Sequence, residues 1–154
     1  MRHERELRGR TAIVGVSESD LGIVGPGVTA LDLTEQAAGR ALDDAGLTIG
    51  DVDAVFSHSA FYPMPSVVLA ERMGIRPTYS DSTATGGSSF LAHLRHATAA
   101  IEAGLFEVAL IAYGSNQRSA AGGLVSSGQN QIPSYEVPFG ARLPCRRRER
   151  VGDV

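Results

Sequence analysis

The sequence predicts an α/β fold on a mostly parallel sheet, with strands and helices alternating as βαβαβαβ. Segments of strand character at residues 11–16, 52–57, 79–85 and 108–112 are separated by stretches whose apolar residues recur at helical spacing. The run VALIA at 108–112 is continuously apolar, as expected of a strand covered on both faces of a parallel sheet. Glycines stand where the helices should stop, at Gly46, Gly74 and Gly104. Such alternation argues for right-handed crossovers that lay helices against one sheet.

Residues 1–10 read as a charged lead-in, and TAIVGV at 11–16 is the expected first strand. A loop containing Gly and Pro follows over 17–28, of a length that often carries function. The spacing predicts a helix over 29–45. Thr29 and Asp32 have capping-box spacing, Leu33, Ala37, Ala38, Ala41, Leu42 and Ala45 share a face, and Gly46 stands at the stop. VDAVFS at 52–57 is the expected second strand. A shorter helix is expected over 66–73, with Pro65 near its first turn and Gly74 after it.

The chain is organised around residues 79–114. A strand rich in Ser and Thr leads to Gly86 and Gly87, which allow a turn that a Cβ would oppose. Ser88 or Ser89 is expected to cap the next helix by accepting from its free amides. Leu91, Leu94, Ala97, Thr98 and Ile101 give that helix an apolar face, and the strand 108–112 closes a βαβ unit. Partial positive charge gathers at a helix N-terminus, so a nucleophile or an anionic group at this turn is stabilised.

A chain of 154 residues with 43% hydrophobic content suits one domain with a core. No stretch is long and apolar enough to span a bilayer, and the start MRHERELRGR has no apolar signal core behind its charges, so a cytoplasmic location is expected. Cys145, the single cysteine, excludes an internal disulfide and leaves the redox compartment open. The net charge of −3 hides an asymmetry: residues 145–154 hold four basic and two acidic residues, which leaves ten against fifteen in the body. A basic terminal run can bind nucleic acid, but no aromatic residue is interleaved with it, so no nucleic-acid partner is expected.

The strand, glycine turn, helix and following strand, ending in the AGLFEVALIAYG segment, resemble the central segment of the thiolase superfamily. The likeness is to its lipid-transfer-protein or sterol-carrier-type branch. The ALDDAGL and DVDAV stretches within residues 41–55 fit the same pattern, as does the Gly-x-Arg-x-Pro at Gly140 to Pro144. Thiolases proper carry a nucleophilic cysteine in the turn. Counted back from Gly104, that position falls on Gly87, so the resemblance implies membership without the cysteine chemistry. It covers residues 10–144, about the first third of a full-length member. An incomplete thiolase-like N-terminal domain over 11–144 and a basic tail over 145–154 are therefore expected. The resemblance fails abruptly after Pro144 and CRRRERVGDV is rich in arginine, so the tail is expected to be a frameshift product. In another frame, an alanine-rich helix and a second domain would follow.

Several residues carry alternative readings. Ser88 and Ser89 at a helix N-terminus could attack an acyl group if a base were near, although capping is the ordinary role and no Gly-x-Ser-x-Gly elbow is present. His93 and His96 are three apart, a spacing open to a metal. With no carboxylate in that helix turn, packing or hydrogen bonding is the expected role, and no metal site is assigned. His58 follows the second strand and reads as a surface histidine or a site residue. Cys145 beside arginines would have a lowered pKa, but it is not at the family's cysteine position. The Gly86-Gly87 pair lacks a Gly-x-Gly-x-x-Gly phosphate motif.

The resemblance implies the N-terminal part of a protein that handles acyl-CoA or sterol side-chain substrates, with retro-aldol cleavage in the full-length form. Gly86, Gly87 and Ser88 would shape the floor of the substrate pocket, and the acid and base residues would lie in the second half. No cofactor is expected beyond a coenzyme A thioester as substrate. A homodimer pairing through the 79–83 strand, between Tyr79 and Thr83, and a small partner subunit are implied. The alternative is a non-catalytic acyl-CoA or lipid-binding module.

Overall fold

A computed structural model describes residues 9–119. Its elements run α1 (Ala30–Ala45), a 3-10 turn (Ile49–Asp51), β1 (Ala54–Ser57), α2 (Pro65–Met73), β2 (Tyr79–Asp81), α3 (Ser89–Glu102) and β3 (Ala109–Ala112). The three strands form a parallel sheet in the order β2-β1-β3, with Ala54 opposite both Tyr79 and Ala109. The α/β class and the parallel sheet are as the sequence predicts. The expected domain limit at 144, the Gly140 to Pro144 motif and the tail from Cys145 lie outside the described residues.

β1 is the central strand, and it is buried throughout because each face meets a helical layer. Val55 belongs to one core cluster with Ala38 and Leu42 of α1, Leu69 and Ala70 of α2, and Leu110 and Ala112 of β3. Ala54 and Phe56 face the opposite way, onto Ala97 and Ala100 of α3 and onto Phe106. This is the period-two alternation of a strand deciding which layer each side chain joins. The connection from β1 to β2 uses α2 on the first face, and the return from β2 past β1 to β3 uses α3 on the other. Two crossovers running in opposite directions share one hand only if they lie on opposite faces, as these do.

Local signals set the helix ends. Thr29 Oγ1 accepts from the Asp32 amide at 3.1 Å, and the Asp32 carboxylate accepts from the Thr29 amide at 2.8 Å, which completes the expected capping box. Gly46, Gly74 and Gly104 all take positive φ, at 68°, 73° and 73°. Pro65 occupies the first turn of α2, where its missing N–H costs nothing.

Two expectations are corrected. Residues 11–16 form no strand; among the described residues β3 pairs only with β1. Helices hold the segment instead of a ladder. Arg10 bonds Glu102 and Thr11 meets Thr98 on α3, while the Val16 amide donates to Asp44 on α1 at 2.9 Å. Gly15 runs so close to α1 that a Cβ there would stand 2.9 Å from the Ala45 Cβ. Ile13, Val14 and Val16 are left exposed. The second correction concerns α3, whose buried stripe is Ser89, His93, Ala97 and Ala100. Of the apolar face expected there, Leu91 is 71% and Leu94 39% exposed, and only Ala97 is buried. The small side chains let α3 lie close over Phe56, and the leucines turn outward.

A candidate ligand-binding turn at the head of α3

In a parallel sheet, ligands bind outside the carboxyl ends of the strands. In this chain that edge carries His58 after β1, the turn between β2 and α3, and Tyr113 after β3. The turn begins where β2 ends early, at Asp81 rather than the expected residue 85. The Asp81 carboxylate folds forward and accepts from the Thr83 amide at 2.7 Å and from Thr83 Oγ1. It thereby replaces the ladder with a local Asp turn. Ser82 Oγ caps the neighbouring helix, accepting from the Ser66 amide at 3.1 Å.

The glycines make the bend. Gly86 has φ +69°, whereas Gly87 needs no left-handed backbone, and a Cβ at Gly87 would meet nothing within 4 Å. Residues 84–88 are exposed, so Gly86, Gly87 and Ser88 lie at the surface of the turn. Neither serine caps α3 as expected. Ser88 Oγ donates back to the Thr85 carbonyl at 2.9 Å. Ser89 is buried, and its Oγ accepts from the Thr85 amide at 2.9 Å while donating to the Gly86 carbonyl at 2.7 Å. The hydroxyls lock the turn and are already committed as donors, which removes the arrangement a serine nucleophile needs. The helix takes its early bonds from backbone, with the amides of Leu91 and Ala92 both donating to the Ser88 carbonyl.

Each of the two histidines of α3 takes its own partner. His93 is completely buried and its Nε2 lies 3.1 Å from the Thr83 carbonyl. His96 Nδ1 lies 2.7 Å from the Asp81 carboxylate. No group of three or more metal-binding side chains occurs among the described residues. Burial pushes Asp81 up, but its bonds from Thr83 and His96 outweigh that and hold the carboxyl below its ordinary 3.8. Burial pushes the His93 imidazole below its ordinary 6.5, with the Asp81 charge opposing. Asp81 and Thr83 were missed in reading the sequence; the Asp-Ser-Thr spacing just before the glycine pair is the signal that identifies them. Cys145 lies outside the described residues.

No protein-family model and no curated protein matches the chain. Solved structures do match it, and they define the class: the described portion has the thiolase-like fold. The Ltp2–ChsH2 (DUF35) aldolase aligns over 84% of this chain and 31% of its own, at 23% identity and a TM-score of 0.64. A 3-oxoacyl-(acyl carrier protein) synthase III, FabH, from Xanthomonas oryzae pv. oryzae covers 65% and 42%, at 19% identity and a TM-score of 0.55. A variant of OleA from Xanthomonas campestris covers 58% and 28%, at 23% identity and a TM-score of 0.53. The chain spans less than half the length of each.

Proposed function

We propose that this chain is the N-terminal part of a thiolase-like protein that handles acyl-CoA or sterol side-chain thioesters without a covalent cysteine. The observation that carries this is Gly87, exposed at the head of α3 with open space where a side chain would project. By resemblance, thiolases place their nucleophile at that position. One structural neighbour is an aldolase by name, which supports retro-aldol cleavage as the activity of the complete protein. Acid and base groups would come from the second half. The same neighbour is a complex with a DUF35 protein, which supports a small partner subunit. Pairing of two copies through β2 fits its place at the edge of the sheet.

The commitment of both serine hydroxyls within the turn favours a second reading, an acyl-CoA or lipid-binding module without catalysis of its own. Among the described residues no helix is long and apolar enough to cross a membrane. Calorimetric titration of the chain with acyl-CoA thioesters of graded chain length, followed by aldol-cleavage assays with a co-expressed DUF35-type partner, separates the readings. Binding with cleavage supports the enzyme and binding alone the module. Absence of binding in both preparations overturns both.

A further inference from the structure

We propose that His93 is the positioning residue of the 82–88 turn, holding it through Thr83 as a neutral imidazole and releasing it when the ring is protonated. The ring occupies the buried stripe of α3 between Ser89 and Ala97, where an apolar side chain would fill the same space without desolvating a polar one. A carbonyl can only accept, so the nitrogen 3.1 Å from the Thr83 oxygen carries the hydrogen. The neutral ring then has its lone pair on Nδ1. That atom is buried and has no hydrogen-bond partner among the described residues. A polar atom left idle in a core is uncommon and calls for a compensating role; the role available here is the bond to Thr83.

Thr83 is gripped from its other side as well. Its amide and Oγ1 bond Asp81, and Asp81 is bonded by His96, one turn along the same helix. The start of the turn is thus fixed to α3 at two points. A proton added to His93 Nδ1 would place a charge and an unreceived donor beside Phe56 and Phe90, whose ring centroids each lie 5.8 Å from the imidazole. The titratable groups around the ring are Asp81 on β2, His96 on its own helix and His58 beyond β1. Tyr79 stacks on Phe56, and Tyr113 lies tilted against Phe90. Burial, the largest effect, and both histidines oppose the charged ring, whereas Asp81 and the bond to the Thr83 carbonyl favour it; release follows because the charged ring leaves the core and its Nε2–H leaves Thr83 with it. The consequence for ligand binding rests on the turn being the ligand site; the positioning role does not.

Amide hydrogen exchange read by mass spectrometry tests the idea on the full chain, at about pH 7.5 and about pH 5.5, after correction for the intrinsic rates. His93→Gln retains a donor near the Nε2 position and cannot titrate; His93→Leu has no donor. Turn residues 83–89 in the native chain should lose protection severalfold at the lower pH, with β1 unchanged. His93→Gln should protect the turn at both pH values and His93→Leu at neither. The proposal is overturned if the native turn keeps its protection, if the loss persists in His93→Gln, or if β1 opens in step with the turn. Exchange of the histidine Cε1 hydrogens needs no variant. A His93 midpoint at or above that of a free histidine overturns the proposal as well. Neither measurement uses a ligand, so failure of the acyl-CoA reading leaves both interpretable.

Discussion

Asp53 and Val108 hold each other through backbone and side chain at once. The Val108 carbonyl accepts from the amides of Asp53 and Ala54, both at 3.0 Å, and the Asp53 carboxylate accepts from the Val108 amide at 3.0 Å and the Glu107 amide at 3.1 Å. The Asp53 carbonyl also accepts from the Thr78 amide at 2.8 Å, so one residue fixes where both neighbouring strands begin beside β1. Asp53→Ala should cost about 2–3 kcal/mol, as expected for losing hydrogen bonds to a charged acceptor. Asp53→Asn, which keeps one acceptor oxygen, should cost less. Urea denaturation of the two variants checks the order; equal losses would show that a neutral acceptor at this position recovers nothing and overturn the expected order.

Gly114, just after β3, lies against the start of α1. A Cβ there would stand 2.6 Å from the Thr34 amide nitrogen and would also strike the Thr34 hydroxyl and the Ala30 carbonyl. These are mostly backbone atoms of a capped helix and cannot move cheaply. Gly114→Ala should therefore destabilise by about 2 kcal/mol or more, in the range of overpacked cores. Gly39→Ala, with nothing near its Cβ and a helical position, should be neutral or stabilising. Thermal melts of the pair settle the comparison.

Stability should fall on acidification in two stages. The folded-state pKa of His93 is lowered from 6.5, so the folded chain binds fewer protons than the unfolded one there. The contribution is whole above 6.5 and is lost as pH falls through that value toward the folded pKa. Asp81 is lowered from 3.8, so its contribution is whole above 3.8 and is lost as pH falls below it. Denaturation midpoints across this range should show the upper stage vanish in His93→Gln and the lower one persist. A native profile flat down to the carboxylate range contradicts the assignment.

Local chemistry made some of the fold legible and non-local packing hid the rest. The Thr29–Asp32 box and the stops at Gly46 and Gly74 act within a few residues, so spacing reveals them. Whether 11–16 pairs as a strand depends on a neighbour elsewhere in the chain, which its own apolar pattern cannot supply. On α3 the leucines define the more apolar face, yet the sheet chose the face whose small residues admit Phe56 and whose histidine reaches Thr83. The glycine pair located the candidate site. The roles of Ser88 and Ser89 were not legible, because capping and turn-locking use the same residue types at the same place.

The outward leucines of α3 should make the isolated chain associate. Leu91 at 71% and Leu94 at 39% exposed lie one turn apart on one helix, and apolar surface of this kind finds a partner. Leu91→Glu combined with Leu94→Gln should raise the monomer fraction in sedimentation velocity without lowering the melting temperature. A monodisperse native chain, or a variant that unfolds, counts against these leucines as contact residues.

Gly87 gives the most direct handle on the site. Its backbone is not left-handed and its Cβ direction is open, so Gly87→Cys should fold, whereas Gly86→Ala, at φ +69°, should cost about 1 kcal/mol. A thiol at a helix N-terminus has its pKa lowered, which raises the thiolate fraction. If the turn receives thioesters, that thiolate attacks the acyl carbonyl; a sulfur–carbon bond forms to the protein, the bond to the coenzyme A sulfur breaks, and coenzyme A leaves as its thiolate. In a Cys145→Ser background, mass spectrometry after incubation with an acyl-CoA should find one acyl group on the Gly87→Cys chain and none on the parent. An acyl group on Ser88 or Ser89 of the parent would show that their bonds to Thr85 and Gly86 do not silence them. An unmodified Gly87→Cys chain whose thiol still reacts with iodoacetamide would place the acyl group elsewhere than this turn.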